Sequence, residues 1–69
     1  MKRGFRRYLG RVVYVVKPEA TLRGVLVKVA RRAFVLRGAE QIVGLLSGEE
    51  QIVSLGEVAV ERPVSYVRA

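Results

Sequence analysis

The chain contains no cysteine, histidine, aspartate, asparagine or tryptophan. Each absence removes a class of chemistry. Without cysteine no disulfide framework can staple the fold, and without cysteine or histidine the usual ligands of zinc are missing. Nucleophile–base pairs of the Ser–His or Cys–His kind are excluded, because the three serines have no base partner. Glutamate is the only acidic side chain. None of the six has a second carboxylate at a spacing that predicts an acid–base pair, and Glu49-Glu50 reads as a solubilising loop tip. No catalytic residue, metal site or cofactor is therefore expected. No apolar run approaches the length of a membrane span, and none follows the charged start as a secretory signal requires. The expectation is a soluble, cytoplasmic protein without a membrane partner.

What is present is β-branched and basic. A chain of 69 residues makes one small domain, here 1–69, and buries roughly 60% of the surface its unfolded form exposes. Such a core is marginal, so with no disulfide or metal the remaining staple is oligomerisation. The net charge is +7, and it is segregated. Eleven Lys or Arg stand against Glu19 alone between Met1 and Arg37, whereas two arginines stand against five glutamates between Gly38 and Ala69. Clustered positive charge suits a polyanionic partner such as nucleic acid; it also keeps a small β-protein dispersed. Arginine outnumbers lysine ten to three. Together with the absent Asn, Asp and Cys, this bias fits a thermophile or a GC-rich genome, that of a virus included.

The densest information lies in Thr21–Leu36, where two Val/Leu-rich segments flank a basic corner, Ala30-Arg31-Arg32-Ala33. This pattern predicts a long bent strand, a tight turn and a returning strand, with Gly24 marking a bend or bulge. Before it, Phe5, Tyr8 and Leu9 fall at helical spacing, which predicts a short basic helix over 2–9 with Gly10 at its C-cap. Val12-Val13-Tyr14-Val15-Val16 reads as a first strand covered on both faces, ended by a turn at Pro18-Glu19-Ala20. Further strands are expected from Ala33, kinked at Arg37-Gly38 and resuming over Ala39–Val43; from Gln51, bent at Gly56 and reaching Glu61; and over Val64–Val67 after an Arg62-Pro63 corner. Gly44–Glu50 is the longest loop. The predicted fold class is mainly β: a short N-terminal helix, then a strongly bent five-stranded antiparallel barrel over 11–67.

Leu22-Arg23-Gly24-Val25-Leu26 followed by Phe34-Val35-Leu36-Arg37-Gly38-Ala39-Glu40 resembles the first sequence motif of the Sm-like (LSm/Hfq) family. Leu55-Gly56-Glu57-Val58-Ala59-Val60-Glu61-Arg62-Pro63-Val64 is similar to the second, and its Val-x-Arg-Pro-Val ending resembles the end of the bacterial Hfq barrel. The resemblance covers nearly the whole chain. It implies an SH3-like (Sm-like) barrel that joins sister copies into a homo-oligomeric ring, a hexamer or heptamer, by pairing the fourth strand of one subunit with the fifth of the next. It also implies RNA bound around the pore or on the helix face. Ile52, Val53, Leu55, Val64, Tyr66 and Val67 are the interface residues expected on that basis.

The chain departs from the family where uracil is read. Ala30 stands at the position of the pocket Asp, Ala33 or Phe34 near that of the Asn, and Glu61-Arg62 in place of Arg-Gly. The Lys-His pair of Hfq has no counterpart. Arginines and aromatics remain, which suit phosphate contact and stacking more than a strict base code. The candidate nucleic-acid-binding residues are Lys2, Arg3, Arg6 and Arg7 on the helix, Arg31 and Arg32 in the basic turn, Arg62 at the second corner, and Phe34 as a stacking aromatic or a core residue. The alternative function is a structural or assembly ring subunit, cellular or viral, whose charge serves packing rather than a nucleic-acid ligand.

Overall fold

The computed structural model describes residues 4–18, 20–44, 48–61 and 66–68. Lys2, Arg3, Arg62 and Val64, all candidates above, lie outside the described residues, as does the side chain of Tyr66. The chain begins with a 3-10 helix, Gly4–Tyr8, and continues through β1 (Val12–Val16), β2 (Thr21–Val29), β3 (Ala33–Val43), β4 (Gln51–Glu61) and β5 (Tyr66–Arg68). The expected helix over 2–9 is thus reduced to a short 3-10 segment. Gly4 takes a left-handed φ of 61°, which α-helical backbone does not use, and so few residues cannot repay helix nucleation. Gly10 has the left-handed φ of a helix cap, 81°, yet its N–H donates to the Leu26 carbonyl at 2.8 Å, tying the segment to β2.

All five strands lie in one antiparallel sheet with the order β4-β3-β2-β1-β5. The sheet is open: β4 and β5 form its two edges, so the closed barrel expected over 11–67 is not what the single chain makes. It nevertheless curls. Val13, Val15, Leu26 and Leu36 are wholly buried although they come from one layer, and the inner faces of β1 to β4 share a cluster with Leu22, Phe34, Ala39 and Val60. Phe5, Tyr8 and Val67 pack against that cluster from the two ends of the chain.

Glycine makes the curl possible. A Cβ on Gly24 would stand 3.1 Å from the Leu36 Cβ and 3.2 Å from the backbone of Ala39, and the β2–β3 register shifts between Arg23 and Val25. The expected bend is therefore a point where two strands touch through a missing side chain. The expected interruptions of the later strands are bulges within two eleven-residue strands. Gly38 and Gly56 carry φ of 62° and 74°, and the β3–β4 register shifts on both sides of the Ala39–Gly56 pair.

Candidate nucleic-acid interface and sheet edges

Residues paired across an antiparallel ladder share a face of the sheet, so the registers can be followed from edge to edge. One row runs Val67–Val15–Leu22–Gln41–Val53 and faces the core, since Val15 and Leu22 are buried there. The next runs Arg68–Tyr14–Arg23–Glu40–Ser54 on the opposite, outer face, followed on that same face by Val16–Thr21–Ile42–Ile52.

The first half of β4 projects past the core. Every residue from Gln51 to Glu57 is exposed. Val53 belongs to the core-facing row yet is 47% exposed; Ile52, on the outer face, is 53% exposed, and Leu55 37%. An edge strand with apolar side chains bare on both faces and a free row of backbone donors and acceptors is a template for another strand. Three of the expected interface residues are therefore together on the β4 edge. Val67 sits on the other edge, partly buried against the core and paired with Val15.

The described basic candidates lie toward one end. Ala30 N–H donates to the Ala33 carbonyl at 2.8 Å, so Arg31 and Arg32 occupy the tip of a tight β2–β3 turn, both exposed. Phe34 follows at once, but it is only 1% exposed. Its ring centre lies 4.9 Å from that of Phe5 at an interplanar angle of 56°. The stacking role considered for Phe34 is thereby corrected: its faces are occupied by the core and by Phe5, and a base has no access. The same contact sets Arg6 and Arg7, next after Phe5, at the end of the sheet where the arginine turn lies. Arg7 donates to the Tyr8 hydroxyl at 3.0 Å, with its guanidinium 5.0 Å from that ring's centre. Among the described residues Arg6, Arg31 and Arg32 have no carboxylate partner.

Two other arginines are committed. Arg37 meets Glu57 at 3.3 Å across β3 and β4, with both side chains exposed. Arg23 donates through Nε to Glu40 Oε1 at 3.1 Å and through Nη2 to the same oxygen. The Glu40 hydrogen bonds, then a hydrogen bond to Tyr14, hold the Arg23 pKa above its ordinary value. On the far side of Tyr14 the Arg68 guanidinium lies 5.9 Å from the ring centre. Tyr14 is thus flanked by Arg23 and Arg68 on the outer face, a grouping that sequence reasoning missed. The signal was the alternation Val13-Tyr14-Val15, but only the β1–β2 and β1–β5 registers bring the two arginines to it.

Among the described residues no three acidic, Cys or His side chains cluster to hold a metal, and no helix is long and apolar enough to cross a membrane. Comparisons with protein-family models, with curated proteins and with solved structures give no match to this chain.

Proposed function

We propose that the chain is an Sm-like protein whose bent, SH3-like sheet assembles as a homo-oligomeric ring, a hexamer or heptamer, and binds RNA or another single-stranded nucleic acid. The observation that supports it best is the pair of open sheet edges with Ile52, Val53 and Leu55 bare on β4. A second copy seated there satisfies the edge hydrogen bonds and enlarges a core that is small for one chain. Assembly also repeats the exposed arginines Arg6, Arg7, Arg31 and Arg32 once per subunit, and linked weak contacts multiply in strength. Lys2, Arg3 and Arg62 add charge to the same reading. The available aromatic is Tyr14, between two guanidiniums, in place of Phe34.

Binding of this kind is dominated by phosphate contacts and is tolerant of sequence. The test is affinity for oligo-U, oligo-A and single-stranded DNA over a range of salt. All three should bind at low salt and weaken together as salt rises. No binding of any of them at low salt overturns the nucleic-acid reading and leaves the ring as a structural subunit.

A further inference from the structure

Resting on the nucleic-acid reading proposed above, we infer that Phe5 is a positioning residue of the phosphate site: seated on Phe34, it holds Arg6 and Arg7 beside the Arg31-Arg32 turn, so that two separate pairs of cations act as one clamp. The N-terminal segment Gly4–Tyr8 is too short to hold its own conformation, and packing must fix it. Its exit is tied to β2, because the Gly10 N–H donates to the Leu26 carbonyl at 2.8 Å and the Leu26 N–H to the Arg11 carbonyl at 3.0 Å. Its body is held by Phe5 and Tyr8, which pack against the core cluster, with the Phe5 ring centre 4.9 Å from that of Phe34. Phe34 stands near the start of β3, directly after the turn that carries Arg31 and Arg32. One apolar contact therefore joins the two basic elements.

The same end of the sheet holds two cations absent from the sequence-based candidates. The Arg11–Leu26 bond sets Arg11 beside β2, close along that strand to Lys28, and both side chains are exposed. The β3–β4 register also brings an acid there, Glu61 opposite Ala33. Arg6, Arg7, Arg11, Lys28, Arg31 and Arg32 outnumber it. Like charges held close repel, so without an anion the docked segment stands against a cost that the apolar contact must offset. A strand whose phosphates touch both arginine pairs removes that cost and spans the joint. Phosphates thus favour the docked segment, and by linkage the docked segment raises affinity for phosphates. Side chains already in place also lose less freedom on binding than side chains on a loose tail. Phe5 therefore acts on binding through Arg6 and Arg7, although it carries no charge.

The probe is labelled oligo-U at low salt, read by fluorescence anisotropy on the full chain, with hydrogen exchange of the Leu9, Gly10 and Arg11 amides followed by NMR. Circular dichroism reports whether each variant keeps its strand signal. Phe5→Ala removes no charge, yet it should weaken oligo-U binding about tenfold. Phe5→Leu keeps an apolar plug and should bind close to the parent. Alanine at both Arg6 and Arg7 should cost much less in the Phe5→Ala background than in the parent, because the clamp is already open. In the parent, oligo-U should slow exchange of the three amides. Parent-like binding by Phe5→Ala, an equal cost of the arginine changes in both backgrounds, or exchange unmoved by oligo-U overturns the clamp. Should Phe5→Ala lose its strands, Phe5→Leu and the exchange in the parent decide alone. A parent that binds no oligo-U, oligo-A or single-stranded DNA defeats the nucleic-acid reading and the clamp with it. A parent that binds while Phe5→Ala binds equally defeats the clamp alone.

Discussion

Gly24 is the residue on which the curvature of this sheet turns. Its backbone lies against the Leu36 side chain and the Ala39 and Arg37 backbone, where an added methyl carbon would sit tightly, at 3.1 to 3.2 Å. Gly24→Ala is expected to lower stability by about 1–3 kcal/mol, the usual cost of overpacking, measured by urea denaturation. Phe5 is the second such residue. It is half-buried and meets Phe34 at 4.9 Å, so Phe5→Ala should cost about 2 kcal/mol through lost burial and ring contact. The 3-10 segment should then detach while the strands remain. Arg6 and Arg7 act differently. Both are exposed, and replacing both by alanine should weaken binding of all single strands alike. If each contacts one phosphate, the salt slope falls by about 1.4. An unchanged slope would exclude this end of the molecule as the phosphate track.

At the scale of elements, β4 is two things in succession. From Val58 onward it packs on the core with Val60; before Gly56 it is the outermost strand, paired with β3 on one side and exposed throughout. An edge strand is a template for another strand, and this one bares Ile52 and Val53 on opposite faces. Polar substitution there should separate folding from assembly. Ile52→Lys with Val53→Glu is expected to change single-chain stability by no more than about 0.5 kcal/mol, as for other exposed sites. The same change should abolish the oligomer in sedimentation. A stable oligomer in that variant would place the contact elsewhere. The bulges at Gly38 and Gly56 lie between the two halves of the β3–β4 ladder, so the direction of the exposed half is set by backbone that only glycine adopts readily.

For the whole molecule, the balance is between a small core and a large surface charge. The described buried residues include no polar or charged side chain, so the core is held by packing alone. If the edges are sealed by sister copies, folding and association are linked. The denaturation midpoint should then rise with protein concentration. A midpoint independent of concentration would mean that the single chain stands alone. The net charge of +7 opposes compaction and draws polyanions, so added single-stranded nucleic acid should raise the midpoint at low salt and lose that effect at high salt.

The order of strands, the turn at Arg31-Arg32 and the bend at Gly24 were legible in the chain, because each is written locally: β-branched runs, a polar break, a glycine amid bulky neighbours. Ile52, Val53 and Leu55 were legible as a short apolar run, though nothing local says that β4 lies at an edge and leaves them exposed. Phe34 and Tyr14 were not told apart by the sequence. Both are aromatic residues in apolar strands, and only the register decides that one faces Phe5 and the core while the other faces two arginines. Composition by itself excluded disulfides and histidine chemistry and made the first half of the chain strongly basic. Which strands became edges, which acids lay along them and which arginines were spent on glutamates were decided by tertiary structure, because those properties belong to pairs of residues far apart in the chain.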